Sequence, residues 1–351
     1  DYDQTEMVTY QARPSRANLV VANGDILFAK MCDTKKTLYI DSDNAEYIFS
    51  TGFCAVRAKE NVITTKLLYH IITSDQFLKQ KDRYSSGATQ KAITNVGLKK
   101  IVISVPPLDE QFRIAVVLDK ISDLIAKRRQ QIGKLDELVK SRFIEMFGNP
   151  VSNEKNWEQV PLSTCIESID NGKSFVCDSD ARQGDWPAIL RLSAATYGFY
   201  RPEENKAMLN DKQFVEAAAV RVGDLLFTRK NTPELVGMCA YVYDTPEKLM
   251  MPDLIFRLNT TEICNKVFLW KLINHDFFRD CIQAIATGSA KSMSNISKER
   301  LLGVKIILPP SEWQEQFAAF VTQTDKSKLA IQKSLEQLET LKKALMQKYF
   351  G

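Results

Sequence analysis

The sequence is poor in the residues and motifs that catalytic sites use most. It has two histidines, His70 and His275, which do not occupy equivalent positions of the internal repeat described below. No Gly-x-x-x-x-Gly-Lys-Ser/Thr loop and no Gly-x-Gly-x-x-Gly turn is present to hold nucleotide phosphates. Its two Pro-Pro pairs follow Val105 and Leu308, and not the Asn or Asp that adenine methyltransferases place there. These absences predict a binding protein that is not an enzyme and has no cofactor of its own.

The cysteines are scattered, odd in number and never in Cys-x-x-Cys spacing. There are seven: Cys32, Cys54, Cys165, Cys177, Cys239, Cys264 and Cys281. This pattern is typical of reduced thiols and gives no tetrahedral metal site with so few histidines. No apolar run approaches the ~20 residues needed to cross a bilayer. We therefore expect a cytoplasmic protein with no metal and no membrane segment.

What the sequence does contain is a repeat of about 200 residues, a period that predicts whole repeated domains. The matching segments are 23–28 with 222–227, 105–107 with 308–310, 110–112 with 315–317, and 146–148 with 349–351. The second copy opens near Asn156-Trp157, well before Gly223, whereas Gly24 lies close to the start of the chain. We therefore expect the first copy to be truncated at its N-terminal side.

Each copy begins with a region that mixes short strands and helices, which predicts an α+β fold. Strand-like runs lie at 26–28, 38–40, 101–103, 188–190, 225–227 and 304–307, with amphipathic helices near 65–81 and 265–284. Gly, Asp and Asn turns separate these segments.

Each copy ends in a long amphipathic helix with an apolar heptad seam. The seam of 110–148 is Ile114, Leu118, Ile121, Ile125, Arg128, Ile132, Leu135, Val139, Arg142 and Met146. That of 315–350 is Phe317, Val321, Thr324, Lys328, Ile331, Leu335, Leu338, Lys342, Leu345 and Tyr349. Ser311 and Gln314 have the spacing of a capping box. We expect the seams to be buried against each other, although each helix could instead dock on its own domain.

Three segments together resemble the type I restriction-modification DNA-specificity subunits. They are GATQKAI (87–93), VPPLDEQ (105–111) and LDELVKSRFIEMFG (135–148). The Asn156-Trp157 opening and the Gly-Asp-Leu-Leu-Phe strand at 223–227 resemble the start and middle of their target-recognition domains. The resemblance covers essentially the whole chain, although the 311–314 turn looks longer than usual in the family.

This resemblance implies a plan for the chain and for its partners. Two target-recognition domains would each recognise one half of a bipartite double-stranded DNA sequence, and the long helices would pair as an antiparallel coiled coil between them. Two methyltransferase subunits would bind this scaffold, and restriction (motor) subunits would join through the methyltransferases. S-adenosylmethionine, ATP and magnesium would belong to those partners. The domains would be 1–108, incomplete at its start, and 149–310, with helices at 109–148 and 311–351.

Two kinds of segment are candidates for contacting DNA. Arg229, Lys230 and Asn231 follow the strand 223–227 and could recognise base edges, with Lys30 as the counterpart in the first copy. The glycine loops after 87 and 288 suit close approach to phosphates. Their candidate residues are Thr89, Gln90, Lys91, Ser289, Lys291 and Ser292.

Two other functions remain possible from the residues alone. The chain could be the recognition portion of a fused restriction-modification methyltransferase, which would require the missing cofactor loop. It could also be a coiled-coil scaffold that does not bind DNA. The paired basic stretches 79–100 and 285–305 argue against the scaffold.

Overall fold

The computed structural model describes residues 6–88, 90–288 and 293–351. The chain divides into two compact units, of which unit 1 comprises 1–132 with 330–351 and unit 2 comprises 133–329. Each unit combines small sheets with helices, so the predicted α+β class is confirmed. No helix within the described ranges is long and apolar enough to span a membrane.

Unit 1 contains the elements of the first repeat. They are β1 (Ala17–Leu19), β2 (Ile26–Ala29), β3 (Thr37–Tyr39), β4 (Phe49–Ser50), β5 (Phe53–Val56), α1 (Thr65–Ile72), α2 (Asp75–Arg83), β6 (Ser85–Ser86), β7 (Ala92–Ile93), α3 (Asn95–Leu98) and the first part of α4 (Leu108–Phe147). The central sheet has the antiparallel order β3-β2-β5, and β1-β4 and β6-β7 form separate pairs.

Unit 2 holds the second repeat between the end of α4 and the start of the last helix. Its elements are β8 (Gln159–Pro161), β9 (Ile166–Asn171), β10 (Ala188–Leu190), β11 (Asn205–Ala207), β12 (Leu225–Thr228), β13 (Lys230–Asn231), β14 (Cys239–Tyr241), β15 (Leu249–Met250), β16 (Ile255–Thr260), α5 (Lys266–Ile273), α6 (Asp276–Ala284), β17 (Ser294–Asn295), α7 (Lys298–Leu302), β18 (Lys305–Ile307) and α8 (Ser311–Phe350). Its sheets have the orders β14-β12-β16-β9, β11-β10-β15, β13-β17 and β18-β8.

The central strand of each unit is buried on both faces. In β2, Ile26 and Phe28 pack with the helices, while Leu27 packs with Ile40 on the opposite face. Side chains alternate along a strand, so such a run contributes to two cores at once. In β12, Phe227 and Leu226 are divided between two cores in the same way.

The structure splits each predicted amphipathic helix in two. Ser74 lies between α1 and α2, and its hydroxyl accepts a hydrogen bond from the backbone N–H of Phe77. His275 occupies the same place between α5 and α6, where its Nδ1 accepts from the N–H of Phe277. Each side chain satisfies a free N–H at the start of the second helix, which fixes the break. His275 is therefore a helix cap.

Helices α4 and α8 pack together with their seams buried, as predicted. All twenty seam residues are buried or half-buried. In unit 1, Ile114 and Leu118 of α4 cluster with Phe350 at the end of α8. In unit 2, the ring of Phe143 near the end of α4 lies 5.5 Å from that of Phe317 near the start of α8. The beginning of each helix thus meets the end of the other, which is an antiparallel arrangement.

The structure corrects the alignment of the two copies at the start of these helices. The side-chain amide of Gln111 accepts from the N–H of Thr64 and donates to two backbone carbonyls, those of Val62 and Pro106. Gln314, and not Gln316, makes the equivalent bonds, to Asn265, Ile263 and Pro309. Both helices have 40 residues, so the turn before α8 is not lengthened. The predicted capping box is also wrong, because the Gln314 amide binds the preceding loops and not Ser311.

The predicted strand at 101–103 is not formed, although the matching segment of the second repeat forms β18. In unit 2, β18 pairs in antiparallel register with β8, with Ile306 opposite Val160. A strand forms only where its backbone groups find a neighbouring strand, and 101–103 has none among the described residues.

Candidate DNA-recognition site

The end of β12 is clamped from both sides by backbone hydrogen bonds. The N–H of Arg229 donates to the carbonyl of Leu254 at 3.0 Å, and its carbonyl accepts from the N–H of Ile296 at 2.8 Å. The following strand β13 pairs with β17, with Lys230 opposite Asn295. The strand end and the segment after the glycine loop, which are far apart in sequence, therefore lie side by side.

The side chain of Arg229 is held by two residues that the sequence did not identify. Its Nε and Nη2 both donate to Oδ1 of Asn295, at 3.3 and 3.1 Å. Its guanidinium also lies over the ring of Phe256, 4.8 Å from the ring centre, which is the geometry of a cation–π contact. Nothing in the sequence links these residues to Arg229, since they meet only through the pairing of β12 with β16 and of β13 with β17.

The two residues that follow Arg229, Lys230 and Asn231, differ from it in burial and in hydrogen bonding. Asn231 is buried, its Nδ2 donates to Thr196 and its Oδ1 accepts from the N–H of Thr232. Contact with a base edge would require it to exchange these partners. Lys230 is half-buried in β13. Their role in base recognition stays a prediction.

Unit 1 builds the same backbone frame with different side chains. The carbonyl of Lys30 accepts from the N–H of Ile93 at 2.8 Å, as that of Arg229 does from Ile296. Met31 forms an isolated bridge with Ala92, which corresponds to the pairing of Lys230 with Asn295. Lys30 extends its Nζ to the carbonyl of Thr51 at 3.0 Å. Both copies thus bring a basic residue at a strand end next to the segment after a glycine loop.

The first glycine loop is exposed and begins with a backbone conformation that only glycine adopts easily. Gly87 has φ +137°, and a Cβ there would collide with the carbonyl of Gln90. Gln90 and Lys91 are exposed, and the carbonyl of Lys91 accepts from the N–H of Cys32. Gly288 has a similar φ of +145°. The other candidates in these loops, Thr89, Ser289, Lys291 and Ser292, lie outside the described residues.

A buried aspartate bound by an arginine precedes the central strand of each unit. Asp25 accepts from Nε of Arg57 at 2.7 Å and from the N–H of Ala22. Burial alone would raise the pKa of Asp25, but these hydrogen bonds outweigh it and the pKa is lowered. In unit 2, Nε of Arg257 donates to Asp224 at 3.0 Å. Both carboxylates are hydrogen-bonded within the protein at the start of the strand, at the opposite end from Lys30 and Arg229, so they are structural residues.

One group of possible metal ligands occurs among the residues that the structure describes. Ligand atoms of Cys32, Asp33 and Asp82 lie within 4.8 Å of one another. The ammonium of Lys81 is 3.3 Å from Asp82, and it also donates to the carbonyls of Met31 and Thr34. A cation is therefore already present beside these acids, and the group has no histidine.

Comparison with known proteins identifies the family of this fold and site. A family model described as the type I restriction modification DNA specificity domain matches residues 3–134 and 154–342. The chain belongs to this family. It is accordingly a DNA-specificity protein of type I restriction-modification, as the sequence predicted, and not one of the catalytic subunits.

Individual members of the family show how far the similarity extends. The EcoKI specificity subunit of Escherichia coli K12 is 21% identical, over 99% of this chain and 79% of that protein. The EcoEI specificity subunit of Escherichia coli is 31% identical over 47% of this chain and 29% of that protein. A putative MjaX specificity subunit of Methanocaldococcus jannaschii is 34% identical over 56% of this chain and 46% of that protein. The chain spans less than half of the length of the EcoEI and MjaX specificity subunits.

Solved structures of type I systems share the fold. The S subunit from M. genitalium superposes with a TM-score of 0.60 at 13% identity, over 94% of this chain and 84% of that chain. A chain from a study of complex assembly and conformational transition of the type I R-M system gives a TM-score of 0.50 at 22% identity, over 97% of this chain and 84% of that chain. At these identities the likeness concerns the specificity-subunit fold alone.

Proposed function

We propose that this chain recognises a bipartite double-stranded DNA sequence, with each repeat contacting one half of it. The recognition domains would be 1–108 and 149–310, and the helices at 109–148 and 311–351 would serve as the spacer. The observation that carries the proposal is the recurrence of one site in both repeats. A basic residue, Lys30 or Arg229, ends a buried strand beside the segment that follows a positive-φ glycine. Base-reading side chains need such a rigid backbone, because recognition depends on fixed hydrogen-bond directions.

The proposal extends to the partners of the complex. Two methyltransferase subunits would bind this chain, and restriction subunits would join through them in the cytoplasm. S-adenosylmethionine, ATP and magnesium would be bound by these partners. The long α4–α8 pair supports the proposal, since its outer faces carry exposed side chains that include Phe112 and Leu341.

A domain exchange tests the bipartite proposal. Residues 149–310 would be replaced by the matching domain of another family member, and the recognised sequence would be determined by selection from random duplex DNA in the presence of a type I methyltransferase subunit. One half of the selected sequence should change, while the other half and the distance between them should stay. A change in both halves together would contradict the assignment of one half-site to each repeat.

The same selection and a methyl-transfer assay separate the proposal from the two other functions. A coiled-coil scaffold would select no sequence. A methyltransferase would transfer labelled methyl groups from S-adenosylmethionine to DNA without any partner, and this chain should leave the DNA unlabelled.

A further inference from the structure

The arginine at the end of β12 is fixed before any ligand binds. Oδ1 of Asn295 accepts hydrogen bonds from its Nε and Nη2, and the ring of Phe256 covers one face of the guanidinium. The backbone of Arg229 is bonded on both sides, to Leu254 and Ile296. A long side chain held in this way loses little further freedom on binding, which favours a specific contact over a loose electrostatic one.

The bonds to Asn295 leave one edge of the guanidinium available. Among the residues that the structure describes, no hydrogen bond is made by Nη1 of Arg229. Nη1 and the second hydrogen of Nη2 form a parallel pair of donors at the end of the side chain. Two adjacent acceptors match such a pair, and in the major groove O6 and N7 of guanine provide them.

The first repeat has the same backbone hydrogen bonds at this site but not the side chains that hold Arg229. Lys30 has the same backbone bond as Arg229, but its ammonium binds the carbonyl of Thr51. Ala92 stands where Asn295 stands in unit 2. Cys54, opposite Phe28, stands where Phe256 stands opposite Phe227. A constant backbone that carries different side chains is what two recognition domains with different target sequences require.

We infer that Asn295 is a positioning residue that holds Arg229 to recognise one guanine of the half-site contacted by unit 2. Phe256 acts with it by fixing the plane of the guanidinium. The inference rests on the proposed function and names residues and a base within it. Arg229 makes the base contact, whereas Asn295 acts only through Arg229.

The test is selection from duplex DNA with a random segment, followed by binding to the selected sequence and to its single-base variants. The full chain would be used, with and without a type I methyltransferase subunit. Arg229→Ala should abolish the preference for guanine at one position, a loss of about tenfold to a hundredfold. Asn295→Ala should weaken the preference at that same position by about two- to tenfold, the cost of ordering one long side chain.

Two further variants distinguish positioning from a general structural role. Asn295→Asp retains an oxygen acceptor for Arg229, so it should keep the base preference while lowering binding to all sequences evenly. The double variant Arg229→Ala/Asn295→Ala should be no less selective than Arg229→Ala alone. Asn259→Ala is the matched control, because its amide binds Ser168 and Asp170 in the same unit. It should leave every position of the selected sequence unchanged, and thermal melts would show that all variants fold.

Three results would overturn the inference while leaving the proposed function in place. Arg229→Ala could lower binding to all sequences evenly, which would assign it to a phosphate. Asn295→Ala could leave the base preference intact, in which case Arg229 needs no positioning. The wild-type chain could select a sequence to which neither residue contributes. If the wild-type chain selects no sequence at all, the proposed function fails and the inference fails with it.

Discussion

Replacing Gln314 with alanine removes a side chain that binds three backbone groups at the start of α8. Its Oε1 accepts from the N–H of Asn265 at 2.8 Å, and its Nε2 donates to the carbonyls of Ile263 and Pro309 at 3.1 and 2.7 Å. The residue is 1% exposed. A buried backbone group left without a partner costs ~1–3 kcal/mol. With water entering the space left by the side chain, we take the low end for each group and expect a loss of ~3 kcal/mol.

The four tryptophans make this loss measurable in unit 2. Trp157, Trp186, Trp270 and Trp313 all lie between residues 133 and 329. Tryptophan fluorescence during urea unfolding therefore reports on this unit alone. A loss of ~3 kcal/mol should lower the urea midpoint by ~1–3 M, given the usual urea dependence of ~1–3 kcal/mol per M.

Gln316 provides the matched control, since the sequence pattern alone aligns it with Gln111. It is exposed on α8, so Gln316→Ala should move the midpoint by a few tenths of a molar at most. Gln314→Glu should destabilise at least as much as Gln314→Ala, because it places a carboxylate against two carbonyl oxygens. Equal shifts for Gln314→Ala and Gln316→Ala would refute the argument that the buried amide anchors the helix.

Three further predictions concern the helix pair, the half-buried Lys271 and the exposed loop. Ile125→Asp places a charge in the buried seam and should lower the free energy of unfolding by several kcal/mol. Leu124→Asp, at an exposed position of the same helix, should change it little. Equal melting temperatures for the two variants would contradict a buried seam. Burial lowers the pKa of Lys271 to about 8, so Lys271→Met should stabilise unit 2 by up to ~3 kcal/mol at pH 7. This gain should shrink as the pH rises from about 8 to the ordinary lysine value of 10.5, because Lys271 loses its proton at a lower pH in the folded wild-type chain than in the unfolded one. A gain that is the same at pH 7 and pH 10 would disprove this prediction. Lys91→Ala should weaken DNA binding evenly for all sequences and reduce the salt dependence by about one unit of slope, and a change in base preference would assign it to a base edge.

The long-range organisation was predictable because periodic apolar residues record burial directly. The seam of α4 and α8 follows from the heptad spacing, and the buried strands β2 and β12 follow from short apolar runs after Gly-Asp. Both patterns depend only on which face of an element is covered. The basic residues Lys30 and Arg229 were located for the same reason, since they directly follow these strands.

Most details that the sequence missed depend on contacts between distant segments. Gln111 resembles Gln316 in its local sequence, but its buried counterpart is Gln314, because the partners lie in a loop some fifty residues earlier. Asn295 carries no local sign that it binds Arg229. Tertiary hydrogen bonds of this kind leave no periodic trace in the sequence. The helix breaks at Ser74 and His275 were missed for a different reason. Each depends on a local cap that binds a backbone N–H two or three residues later, and the apolar periodicity continues across it.

The chain order of the two units has a consequence for synthesis. Unit 2 is the continuous stretch 133–329, whereas unit 1 needs both 1–132 and 330–351. Leu345 and Phe350, which pack with Ile114 and Leu118, leave the ribosome after the whole of unit 2. Domains usually finish folding from the N-terminus onwards, but here the first repeat should reach its final packing last. Until then the apolar face of the first part of α4 has no helix to cover it. A translational stop within 330–351 would therefore leave a finished second repeat attached to an unfinished first one.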